Sequence, residues 1–139
     1  MLVPTPFRSL LALGALALAS ALMLPAGALS AQAPDAAAHK QWMNDASDAQ
    51  EDYRFAVTDK DQKAAIEALG KLEGFMAKTE DYWTAKKAVD GVTLAKEARA
   101  LAGQAGTAAK AGNTAAAGQA FDKMGAACNA CHDLHLEKR

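Results

Sequence analysis

Residues 111–135 read AGNTAAAGQAFDKMGAACNACHDLH, and the spacing inside this stretch decides the fold. Ala117, Phe121, Met124, Cys128, Cys131 and His135 follow one another at alternating steps of four and three residues. That is the period of one face of an α-helix. Gly112 suits the end of whatever precedes it, and Asn113 or Thr114 offers a side-chain oxygen to cap a new start. Lys138 and Arg139 fall in the last turn, where positive charge complements the helix dipole. This helix therefore runs from Thr114 towards the C-terminus, with both cysteines of the chain on its inward seam.

Working back towards the N-terminus, the same period recurs. A first helix is expected from about Asp35 to Val57, with Trp42, Ala46, Ala49, Tyr53 and Ala56 on its seam. Asp59 or Asp61 caps a second, running to about Lys78 through Ala65, Leu69, Leu72 and Met76. A looser stretch is expected from Thr79 to Gly91, carrying Tyr82 and Trp83. A third helix then reaches about Ala111 through Leu94, Ala98, Leu101, Ala105 and Ala108. No proline follows Pro34, so none breaks these helices. No stretch alternates with period two. The pattern predicts an all-α fold: an antiparallel up-down-up-down four-helix bundle, with short connections, over residues 34–139.

The chain has 139 residues, enough for one domain. Its N-terminal part reads differently from the rest. Arg8 is the only charge before Asp35, a run of Leu, Ala, Gly, Met and Ser spans Ser9 to Leu24, and small residues follow. A basic start, an apolar run and an A-x-A ending make a secretory signal peptide over residues 1–33, cut after Ala28, Ala31 or Ala33. The apolar run falls short of the roughly 20 residues of a spanning helix, so no membrane anchor is expected after cleavage. The expected location is periplasmic. Without Arg8 the charges are 14 basic against 16 acidic. That near balance gives no reason to expect nucleic acid or an anionic membrane as partner.

The apolar fraction is 51%, but 36 residues are alanine and only eight are aromatic. Alanine favours helix, yet each one buries little area. A large apolar cofactor inside the bundle would supply what such side chains lack.

Cys128-Asn129-Ala130-Cys131-His132 fits C-x-x-C-H, the haem c attachment pattern. Residues i and i+3 share a helix face, so both thiols can add to the two vinyl groups on one haem edge. His132 follows directly and can give its imidazole to the iron as proximal ligand. A C-x-x-C dithiol site would come with a βαβ pattern, which is missing. Zinc held by Cys128, Cys131, His132 and His135 would need four ligands on one helix to surround a tetrahedral ion. One covalently bound haem c is the expected cofactor.

With that motif at the end of the chain, the sequence resembles the cytochrome c′ family, including its low-spin, Met-ligated relatives. The residues that carry the resemblance are Ala111-Gly112-Asn113-Thr114, then Phe121, then Gly125-Ala126-Ala127 leading into Cys128–His132. It implies a four-helix bundle with a C-terminal haem-binding helix, and a homodimer through the first two helices. One departure stands out. The family often places an aromatic and then a basic residue three and four positions after the haem histidine. Here those positions are His135 and Leu136.

The sixth iron position decides the function. In an antiparallel register, Met43 comes level with Asn129, inside the motif, and it is similar in position to the methionine that caps the iron in the Met-ligated relatives. A thioether there gives low-spin iron and raises the reduction potential. Met43 as a flexible core filler is the competing reading. His39, level with Asp133, could ligate instead, although it reads first as a polar residue near the frayed start of the helix. Met76 is a more distant candidate. Met124 reads as core, and His135 as a residue near a propionate or solvent. Trp42, Tyr53, Phe75, Tyr82, Trp83 and Phe121 are expected to wall the haem.

Two functions follow. One is a periplasmic mono-haem cytochrome that exchanges electrons with redox partner proteins, with Met43 on the iron. The other is a high-spin, five-coordinate protein that binds nitric oxide or carbon monoxide at an open position. No enzymatic activity is expected, since no distal acid–base pair beyond His39 is in view.

Overall fold

A computed structural model of the chain describes residues 35–135. Four helices make up the described residues: α1 (Ala36–Thr58), α2 (Gln62–Lys86), α3 (Val89–Lys110) and α4 (Thr114–Leu134). They form an all-α four-helix bundle, as the periodicity predicts. The expected signal peptide and its cleavage sites lie outside the described residues.

Caps set the boundaries. The Asp35 carboxylate accepts from the Ala38 amide at 2.7 Å, Asp61 from Ala64 at 2.9 Å and Asn113 from Ala116 at 3.0 Å. Each satisfies one of the amides that a helix start leaves without a partner. The turn before α4 needs a positive φ, and Gly112 supplies it at +73°. Lys60 and Lys87 take left-handed conformations in the other two turns.

The expected loose stretch after Lys78 is instead helix. α2 continues to Lys86, so Tyr82 and Trp83 sit on a helix rather than in a loop. The buried seam does not stop at Met76. It goes on through Thr79 and Trp83 at helical spacing, with Tyr82 beside them. The buried Thr79 hydroxyl is satisfied inside the helix, donating to the Phe75 carbonyl at 2.9 Å.

Each helix packs on the next along the chain. The core they enclose is largely alanine, filled out by Tyr53, Leu69, Leu72, Met76, Phe121 and Met124. Small side chains let the helix backbones approach closely, and the few large ones fill what remains. Gln62 ties the start of α2 to the end of α3 by donating to the Ala109 carbonyl at 2.7 Å. A second, smaller cluster of Tyr82, Trp83 and Ala95 takes in Trp42, Val92 and Cys131.

α1 and α4 meet through the rings of Tyr53 and Phe121, whose centroids are 4.3 Å apart. The Arg54 guanidinium lies 5.2 Å from the centre of the Phe121 ring. Further along, His39 and Met43 of α1 share a recess with Ala127, Cys128, Cys131 and His132 of α4. Positions thus fall along α1 as they rise along α4. Among the described residues no helix is long and apolar enough to cross a membrane.

Candidate functional site

The recess lies between α1 and α4 and is closed by α2 and α3. From α4 come Ala127, Cys128, Cys131, His132 and His135; from α1, His39 and Met43. Met76, Thr79 and Trp83 of α2 and Leu94, Ala95 and Ala98 of α3 complete the wall. Every residue singled out from the sequence as a site residue, Cys128, Cys131, His132 and Met43, lines this one recess.

The α4 residues are placed by the core beneath them. Met124 and Ala127 are buried, and Cys128 sits half-buried one turn on. Cys131 follows at i+3 and packs beside Trp83. Both cysteines are free thiols. Burial, with a smaller contribution from the neighbouring Cys131, pushes the Cys128 thiol up to about 11. Cys131 is also raised, first by burial and then by the charge of Asp90. A low-dielectric wall disfavours the thiolate in both cases.

The α1 side differs from expectation at one residue. His39 is not at a frayed end: α1 is capped from Asp35, and the His39 ring is only 3% exposed. It stacks flat on Tyr82, centroids 4.0 Å apart and planes 2° apart, and meets Trp83 edge-on at 5.5 Å. Met43, one turn along α1, is half-buried and packs against the main core as well as lining the recess.

Of the six aromatic residues expected to wall the site, Trp83 alone lines it. Tyr53 and Phe121 pack on each other towards the other end of α1. Tyr82 stands behind His39. Trp42 and Phe75 flank the Lys78 ammonium, at 5.6 and 5.3 Å from their ring centres. The difference is one of facing. A seam says which side of a helix is buried, and not which neighbouring helix covers each turn of it.

His135 also lines the recess and is half-buried. Its ring stacks on Trp83 at 4.2 Å, and its Nε2 stands 3.4 Å from an Asp90 carboxylate oxygen. Among the described residues, the Trp83 indole N–H and the Tyr82 hydroxyl are buried without a hydrogen-bond partner. Such groups cost about 1–3 kcal/mol each and usually mark a place where water or a bound group supplies the partner.

These residues fit a haem in their chemistry. Two thiols one helical turn apart, an imidazole beside them, a thioether across the recess and an otherwise apolar wall form the donor set that such a group needs. Among the described residues no cluster of three or more His, Cys, Asp or Glu side chains forms a cage for a bare ion. Iron carried in a macrocycle asks for axial donors only. The cavity these residues line is small, about 30 Å³, and partly open to solvent. A porphyrin is larger than this cavity, so holding one would require side chains of the wall to move. Met43 and Met76 on that wall are unbranched and adaptable. No family model, curated protein or solved structure matches the chain.

Proposed function

We propose that this chain is an exported, mono-haem c-type cytochrome that transfers electrons, resembling the cytochrome c′ family in its up-down-up-down bundle and its C-terminal haem helix. One observation carries the reading: Cys128, Cys131 and His132 of α4 face Met43 of α1 across a single apolar recess. Cys128 and Cys131 hold the haem through thioether bonds, and His132 is the proximal donor. Met43 is the donor on the far side. The group supplies one-electron chemistry when bound. The chain supplies its orientation, its axial donors and an apolar surround that tunes its potential. Leu94, Ala95 and Ala98 on the same wall favour the second reading, a five-coordinate protein that takes up nitric oxide or carbon monoxide. In that reading Met43 is core only.

The test is expression in a host competent for cytochrome c maturation, followed by intact-mass measurement and acid extraction. One haem mass that survives extraction is expected, with attachment lost in Cys128→Ala/Cys131→Ala. The bare polypeptide mass would end this reading. If haem is attached, immediate carbon monoxide uptake by the reduced, unmutated protein would favour the second reading over the first.

A further inference from the structure

The recess holds two donors on its α1 side where one was expected to matter. His39 and Met43 are four residues apart, one turn, so they share a face of α1. Both line the recess that Cys128, Cys131 and His132 line from α4. An imidazole near the start of a helix would ordinarily turn to solvent, and this one is 3% exposed. Its place is fixed rather than loose. The Asp35 cap holds the first turn, the Tyr82 ring lies parallel to the imidazole, and Trp83 closes one edge. Stacking engages the faces of an imidazole, whereas its nitrogens lie on the edge of the ring, in the plane a metal approaches. A neutral imidazole is also among the commonest of all metal ligands.

We infer that His39 is a second axial donor of this site, able to hold the sixth position in place of Met43. The inference rests on the proposed haem attachment and goes beyond it: the far side of the haem carries a pair of donors on one helix face. Which of them sits on the iron sets the potential. A thioether favours the reduced metal, and an imidazole favours it less. Met43 has long, flexible torsions and a half-buried position. His39 is stiff and buried. Losing the methionine would therefore leave a donor close by rather than an open site.

The test uses haem-loaded full chain in four forms: unmutated, Met43→Leu, His39→Phe and the double variant. Leucine keeps the volume of methionine, and phenylalanine keeps a ring on Tyr82, so folding is preserved while donors are removed. Optical and electron paramagnetic resonance spectra report spin state, and redox titration reports potential. Met43→Leu is expected to remain low-spin with a lower potential. The double variant is expected to become high-spin and to bind carbon monoxide at once. A purely structural His39 would give a different result, because His39→Phe would then not alter the spectrum of the Met43→Leu protein. A high-spin Met43→Leu protein with haem still attached overturns the inference and leaves the attachment intact. An unmutated protein that is already high-spin overturns it too. Absence of covalent haem in all four forms removes the proposed function and this inference with it.

Discussion

The indole of Trp83 lies so close over Gly91 that a β-carbon there would stand 2.6 Å from two atoms of the ring. The contact joins α2 to the first turn of α3, and it sets the ring that closes one side of the recess. His135 stacks on the same indole, ring centroids 4.2 Å apart. Trp83 therefore touches both the first turn of α3 and the residue that ends α4. The side chain that was expected in a loop is instead buried and packed against α3.

Gly91→Ala tests the contact. In an open helix position the change would stabilise by about 1 kcal/mol, because glycine is the poorer helix former. Here the indole has nowhere to go, and overpacking of about 1–3 kcal/mol outweighs that gain. Urea unfolding is expected to show a net loss for Gly91→Ala. Gly70→Ala and Gly74→Ala meet nothing within 4 Å. Each is expected to stabilise by about 0.5–1 kcal/mol. A stable Gly91→Ala protein would mean that Trp83 is not held as described.

The helix starts are as easily tested. Asn113 both follows the left-handed Gly112 and caps α4 through Ala116. Asn113→Ala is expected to cost about 1 kcal/mol by loss of the cap. Gly112→Ala is expected to cost a similar amount, about 1 kcal/mol, because an alanine pays for a left-handed φ. Thermal melts of the two variants measure this, and unchanged midpoints would contradict the cap assignment.

The starts of α1 and α4 were legible because caps and glycine are local chemistry: Asp35, Gly112 and Asn113 act on their own neighbours. The end of α4 was not: the helix stops at Leu134 with His135 as its C-cap, short of the last turn expected at Lys138 and Arg139. Met43 lines the same recess as Cys128 and Cys131. The length of α2 was not legible either. Thr79, Glu80 and Asp81 look like a polar interruption, and only the packing of Thr79, Tyr82 and Trp83 against α1 and α3 shows that the seam continues. The burial of His39 was hidden for a related reason. A polar residue in a first turn is usually solvated, and nothing local announces that Tyr82, more than forty positions away, lies flat against it.

The thiols give a pH-dependent prediction for the haem-free chain. The folded Cys128 thiol titrates at about 11, above its ordinary value of 9.0. The folded state then keeps a proton that the unfolded state gives up first. The associated stability is complete below pH 9 and is lost as pH rises towards 11. At pH 8 the thiolate fraction, and with it the rate of alkylation, should be roughly a hundredfold below that of an ordinary thiol. Iodoacetamide labelling followed by peptide mass spectrometry reads this directly. Rapid labelling of Cys128 in the folded protein would show that the recess does not bury it.

Tyr53 and Phe121 provide a test at the opposite end of α1 from the recess. Their rings join α1 to α4, and both are buried in the alanine-rich core. With so few large side chains nearby, the space left by truncating one of them has little to fill it. Phe121→Ala is expected to cost about 3–5 kcal/mol. The same pair makes a spectroscopic prediction. Burial, and then the charge of Asp122, raise the Tyr53 phenol above its ordinary value of 10.0. Its ionisation, followed by absorbance, should come later than that of a free tyrosine, and earlier in Asp122→Asn than in the unmutated chain. Because the folded phenol holds its proton longer, its contribution to stability is present below pH 10 and fades above it. If Phe121→Ala unfolded no more easily than the parent, α1 and α4 would have to be joined by something other than this ring pair. The recess that the two helices flank would then need a different account.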